Sequence, residues 1–321
     1  MGELSRRERL VAAAFYGATA LATIGWWALL LLVPASREWF FGRRFAGTLP
    51  IAFLLPDLVS ALLLAIWLVP TVLKSSPWAR LGAALHAGGQ GYAFLIAVSL
   101  AAQDPTAYPG VVCMMFSSGA ALAFAMRLNQ APVLWGPFRF APAPPRDGRG
   151  HWVEALKQTA AMWLVFLLLI PAGMAAAEAA LGWNSQWWSH PMRMAFAVPV
   201  FVTCGSVGLW SGWVMTHLGG GTPLPSDHPA QLVVAGPYRV IRNPMALAGI
   251  AQGVAVGVGI GSPLVACYAL TGAVAWEVLT RPLEEAHLEK VFGAPYAAYR
   301  QAVRCWIPSP PYRQSQDKLG P

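Results

Sequence analysis

His217-Leu-Gly-Gly-Gly-Thr-Pro-Leu-Pro225 and, after a polar run, Gly236-Pro-Tyr-Arg-Val-Ile-Arg242-Asn-Pro244-Met245 decide how this chain folds. They lie between two apolar segments long enough to cross a membrane. Glycine and proline at this density cannot continue a helix, so they impose irregular backbone with unpaired N–H groups. Backbone of that kind belongs at a membrane surface or around a cavity and not in lipid.

A second run follows one helical hairpin later: Glu284-Glu285-Ala-His-Leu288, then Phe292-Gly293-Ala-Pro-Tyr296-Ala-Ala-Tyr299-Arg300, and finally Val303-Arg-Cys-Trp-Ile307-Pro308. In this order the two runs resemble the motifs of the integral-membrane methyltransferase family that includes isoprenylcysteine carboxyl methyltransferases and phospholipid N-methyltransferases. The resemblance covers roughly Arg193 to Pro310. Family members often carry His where this chain has Asn243, and an aromatic where it has Ala246. An Asn side chain still offers a donor and an acceptor, whereas Ala246 replaces no ring.

Working outward, the chain is 56% hydrophobic and only 11% charged, with a mean hydropathy of +0.50. These values lie outside those of a soluble domain and indicate a polytopic, all-α membrane protein. The net charge of +8 does not point to nucleic acid, because the basic residues collect in a few membrane-flanking loops. Cys113, Cys204, Cys267 and Cys305 are far apart, form no Cys-x-x-Cys pair and read as small core residues; no metal is expected. The apolar run from Leu10 to Val33 is too long for a cleaved signal segment and reads as a first span.

Apolar windows fall at Leu10–Val33, Leu49–Val72, Leu81–Ala102, Tyr108–Leu128, Thr159–Leu181, Met194–His217, Met245–Gly261 and Pro263–Thr280, so about eight spans are expected. Of the 22 basic residues, only Arg37, Arg43, Arg44 and Arg193 fall in outer loops when the N-terminus is inside. Both termini and both motifs are therefore expected on the cytoplasmic side, in a bacterial-type inner membrane. The expected organisation is an N-terminal four-span bundle (1–128), a cytoplasmic Pro/Gly-rich loop (129–158), and a fifth span with an outer loop (159–192). A methyltransferase-like region (193–310) and a polar tail (311–321) follow. Gly136-Pro-Phe-Arg in the loop echoes Gly236-Pro-Tyr-Arg, and coincidence explains it better than duplication, because no Glu pair follows. Trp26, Trp39, Trp78, Trp183, Trp187, Trp188 and Trp306 suit interface belts. Trp210 and Trp213 suit either helix packing or a substrate tunnel.

What the resemblance implies is methyl transfer from S-adenosylmethionine to a lipophilic thiol, carboxylate or amine acceptor reached from the bilayer, with membrane lipids as the other partners. Such a donor has a carboxylate, ribose hydroxyls, an adenine and a sulfonium, and the motifs offer a group for each. Arg242 matches the carboxylate as a planar fork, and Gly219, Gly220, Gly221 and Gly236 offer backbone N–H groups beside it. Glu284 and Glu285 suit the ribose and ammonium groups. They point about 100° apart on a helix, so one is expected to face the site and the other a base such as Arg281. Tyr238, Tyr296 and Tyr299 are candidates for the adenine slot. His217, Pro237, Asn243 and Pro244 complete the expected cofactor-binding set, and Arg242, Glu277 and Glu285 the catalytic one. On a polar helix beyond the bilayer, changes to the Glu pair are expected to cost little folding stability. Plainer roles compete throughout: Arg239 and Arg242 as positive-inside anchors, the Glu pair as a solvated face, Tyr296 and Tyr299 as a packed pair, and Glu277 as a helix-to-helix hydrogen bond.

Asp57, His86, Glu178 and Glu277 are polar residues inside apolar spans, where function is the first hypothesis. Two other classes remain open. A reductase of the NADPH-dependent sterol type, of related architecture, needs extra cations for a 2′-phosphate. A transporter or scaffold depends on Asp57 and not on the Glu pair.

Overall fold

The computed structural model describes residues 4–130, 143–144, 147–183, 191–222 and 228–312. The Gly136-Pro-Phe-Arg echo, Trp187, Trp188 and the 223–227 part of the Gly/Pro-rich run lie outside these. Among the described residues the regular structure is helical, with no strand. The main helices are α1 (Arg6–Leu32), α2 (Arg37–Phe41), α3 (Leu49–Leu73), α4 (Trp78–Gln103), α5 (Pro105–Leu128), α6 (Gly148–Ala180), α7 (Arg193–Gly219), α8 (Pro244–Ile260), α9 (Pro263–Phe292) and α10 (Ala294–Ala302).

Seven of these helices are long and apolar enough to cross a membrane. The expected eighth, α8, has 17 residues, at the lower end of the roughly 17–25 residues that take a helix across a hydrocarbon core. Its length is set at both ends: Pro244 occupies the first turn behind the Asn243 cap, and the helix stops at Gly261. Leu21, Leu32, Ile51, Leu55 and Leu168 are all more than half exposed on long apolar helices. Side chains of this kind suit lipid and not water. The chain is a multi-pass helical membrane protein.

Two compact units divide the fold. The first comprises Met1–Val133, Met174–Ser189 and Ser262–Leu279. Its α1 begins with a reciprocal cap, in which Ser5 Oγ accepts from Glu8 N–H and Glu8 Oε2 from Ser5 N–H. Glu8 also pairs with Arg127 of α5. Alanines at 12, 20, 65, 79 and 83 bring the backbones of α1, α3 and α4 close around Tyr16, Leu68 and Phe124. In α3, Pro56 precedes a π turn over Leu58–Leu63, and the Ser60 hydroxyl within that turn donates to the Pro56 carbonyl at 2.7 Å.

The second unit comprises Leu134–Gly173, His190–Gly261 and Thr280–Pro321. Here α7 packs along α8, and Gln252, 1% exposed within α8, donates to the Phe201 carbonyl of α7 at 3.4 Å. Helix α7 ends in a π turn over Met215–Gly219 and stops at Gly220, whose φ of 63° a side chain would strain. The polar end of α9, Arg281–Phe292, and the short α10 bury Tyr296, Tyr299 and Val303 against Leu288 and Phe292.

Candidate functional site

The segment Gly236–Asn243 is built from local rules. Gly236 has a φ of 55°, and a Cβ there would come within 2.9 Å of Val214 Cγ2, so glycine is required twice over. A single 3-10 turn, Gly236–Arg239, follows with Pro237 in its first position. Asn243 caps α8, its Oδ1 accepting from Ala246 N–H at 3.1 Å. Arg242 therefore stands immediately before the N-terminus of α8, and its own N–H donates to the Arg304 carbonyl at 3.0 Å.

Across from it lies the polar end of α9. Arg242 Nη1 is 3.1 Å from Glu285 Oε1, and Arg281 Nη1 donates to that same oxygen at 3.0 Å. All three side chains are nearly enclosed, at 8%, 7% and 14% exposure. Glu284 is in a different relationship: its Oε2 accepts from Asn243 Nδ2 at 3.4 Å. One carboxylate is thus committed to two guanidinium groups, while its neighbour is held by a neutral amide.

Arg242 is not saturated by these contacts. Its Nε and Nη1 are buried and make no hydrogen bond, Nη1 meeting Glu285 at ion-pair distance without hydrogen-bond alignment. Buried guanidinium donors in this state call for an acceptor, and a carboxylate is the acceptor a guanidinium binds most strongly.

Three tyrosines surround the pair. Burial pushes the hydroxyls of Tyr238, Tyr296 and Tyr299 above the usual phenol range, and the charges of Glu284 at Tyr238 and of Glu285 at Tyr296 push the same way. They stay protonated as donors, and Tyr299 donates to the Tyr238 carbonyl at 2.6 Å. Tyr296 and Tyr299 are each 3% exposed, with ring centroids 6.3 Å apart.

The remaining expected residues are distributed as follows. Gly219 and Gly221 are buried, and the Gly219 carbonyl accepts from Ala230 and Gln231 N–H groups. His217 is exposed on α7, stacked on Trp213 at 4.6 Å, with Nδ1 2.9 Å from the Trp213 carbonyl. Trp210 and Trp213 are exposed as well. Glu277 belongs to the first unit, where it pairs with Arg7 Nη2 at 3.8 Å. His86 and Asp57 are also in the first unit. His86 Nδ1 is 3.0 Å from the Ser60 carbonyl, and its ring meets Tyr16 edge-on. Glu178 accepts from the Tyr108 hydroxyl, so it serves helix packing there.

Sequence reading passed over one pair beside the site. His228 and His287 meet edge-on with centroids 4.8 Å apart. The available signal was spacing, since His287 follows Glu284 by three residues, one helical turn; His228, in a loop, gives no such signal.

Residues 192–295 match the phospholipid methyltransferase family model. That phospholipid methyltransferase match takes in α7, α8 and α9 and every member of the Arg242, Asn243, Glu284 and Glu285 cluster. It supports a membrane methyltransferase. The phospholipid methyltransferase-like region leaves out α1 to α6 and the chain from Tyr296 onward. No curated protein and no solved structure matches the chain significantly.

Proposed function

We propose that the protein is an integral-membrane methyltransferase that uses S-adenosylmethionine and passes its methyl to a lipophilic thiol, carboxylate or amine drawn from the bilayer. The observation that carries this reading is the Arg242 guanidinium: it is buried, has two nitrogens without a hydrogen bond, and lies beside the Glu pair within the matched region. S-adenosylmethionine, when bound, supplies a methyl on a sulfonium, which is open to in-line displacement without help from an acid. The chain's task is then to bind, orient and exclude water.

In this reading Arg242 takes the donor's carboxylate, with Glu285, itself bonded by Arg281, holding the guanidinium in place. Glu284, whose contact is the Asn243 amide, offers its second oxygen to a ribose hydroxyl or to the donor's ammonium group. Pro237, Tyr238 and Pro244, all buried, supply apolar walls. The basic-residue distribution supports a cytoplasmic position for this cluster. The test is binding in detergent with S-adenosylmethionine and NADPH side by side. Saturable binding of the first alone is expected, and binding of NADPH alone would replace this reading with a reductase.

A further inference from the structure

Arg242 is positioned by chain that lies beyond the family match. After α10 the backbone turns back along Gly236–Asn243 and joins it at four points. Arg304 carbonyl accepts from Arg242 N–H at 3.0 Å, Ser309 N–H donates to the Val240 carbonyl at 2.8 Å, and Tyr312 N–H donates to the Arg239 carbonyl at 2.9 Å. Arg239 Nε returns a bond to the Tyr312 carbonyl at 3.2 Å. Ser309 Oγ accepts from Arg304 N–H at 2.8 Å, closing the strap on itself. Beneath it, Tyr299 donates to the Tyr238 carbonyl and packs edge-on against Tyr312 at 5.6 Å.

The composition of the strap suits this task. Pro308, Pro310 and Pro311 fix φ at three of its positions, so little conformational freedom is left to lose on docking. Val303, 1% exposed, anchors its start. Its hydrogen bonds to Gly236–Asn243 reach Arg239, Val240 and Arg242, so the strap holds the segment that carries the guanidinium.

We infer that Tyr299 and the Val303–Tyr312 strap are positioning elements for Arg242, so that affinity for the carboxylate end of the methyl donor is set from the C-terminal end of the chain. This rests on the donor reading above. Two ligands separate the two: S-adenosylmethionine, and methylthioadenosine, which lacks the amino-acid end. Titration in detergent should show Tyr299→Phe weakening S-adenosylmethionine by about 3- to 10-fold, the equivalent of one hydrogen bond, with methylthioadenosine unchanged. Ser309→Ala, which leaves the Arg304 N–H without its acceptor, should act in the same direction, and each variant should add little once Arg242→Lys is present.

If Arg242→Lys lowers affinity for both ligands alike or for neither, the donor reading of Arg242 fails. If Arg242→Lys discriminates between the ligands while Tyr299→Phe and Ser309→Ala do not, the donor reading stands and the strap is only structural. Melting curves without ligand identify any variant that has lost its fold, and the other variant then carries the test.

Discussion

Arg242 and Arg281 reach the same oxygen, Oε1 of Glu285, at 3.1 and 3.0 Å, and neither side chain is more than 8% exposed. Two buried guanidinium groups this close repel each other unless the carboxylate stands between them. Glu285 is therefore a structural counter-ion as well as a neighbour of the proposed donor site.

Replacing it tests that role. Glu285→Gln leaves two buried cations sharing a neutral amide, and breaking a buried pair of this kind costs about 3–5 kcal/mol. A clear fall in the ligand-free melting temperature is expected. An unchanged melt would show that Arg242 and Arg281 find other partners and that the shared oxygen is incidental.

Arg242→Lys keeps the charge but loses the fork. Donor binding should weaken by roughly 1–3 kcal/mol, and Arg239→Lys, whose Nε serves the Tyr312 carbonyl, should cost less. Equal and small losses from both would favour a plain anchoring role for each.

The first unit carries a pH-dependent element of its own. Asp104 accepts from Thr106 Oγ1 at 2.7 Å, from Thr106 N–H at 3.0 Å and from Arg44 N–H at 3.3 Å. The Thr106 hydroxyl first, with the backbone donors helping against some burial, holds its carboxyl below the usual 3.8. A group depressed on folding contributes stability above its unfolded value and loses it as pH falls through the folded value. Asp104→Asn should therefore lower the melting temperature at about pH 7 and by less at a pH well below 3.8, where the wild-type carboxylate is being lost. An equal deficit at both would assign the effect to shape.

The distribution of basic residues predicts that both ends of the chain face inside. In a background freed of native cysteines, Ser5→Cys and Gln301→Cys, the latter on the exposed side of α10, should resist an impermeant thiol reagent applied from outside. Labelling of position 301 would put the Arg242 cluster on the wrong side for a cytoplasmic donor.

Much of the helical order was legible because apolar runs of membrane length leave few alternatives. Even the short α8, read as Met245–Gly261, lies at Pro244–Ile260, because Pro244 and Gly261 mark its two ends. The ordered motifs marked Arg242 and the Glu pair, since charged residues set in Gly/Pro-rich backbone stand out. Arg281 as the partner of one of them followed from the spacing, but the enclosure did not show. On a helix with five charges in twelve residues the Glu pair looked solvated, and small stability effects were expected of both. Glu285 is instead enclosed by two arginines brought in from different segments. The strap was illegible for a simpler reason: its bonds run mostly between backbone groups, and these carry no sequence signal. Tyr299 was visible only as a ring one turn from Tyr296, whereas its hydroxyl contact with the Tyr238 carbonyl spans 61 residues.

The most direct test of the central claim is titration of S-adenosylmethionine into the detergent-solubilised protein, comparing wild type with Glu284→Gln and Asp57→Asn. Among the described residues the hydrogen bond to Glu284 Oε2 comes from the neutral Asn243 amide, so the Gln variant should keep the ligand-free melting temperature of wild type. Burial first, and the neighbouring Glu285, push the Glu284 carboxyl up to about 7, so above that pH the variant should nevertheless lose most donor affinity, because an amide accepts fewer hydrogen bonds and offers no charge to the ammonium or sulfonium. Asp57, in the other unit, should be replaceable without loss of donor binding. Wild-type affinity in Glu284→Gln together with loss in Asp57→Asn would contradict the account and move the essential carboxylate to the first unit.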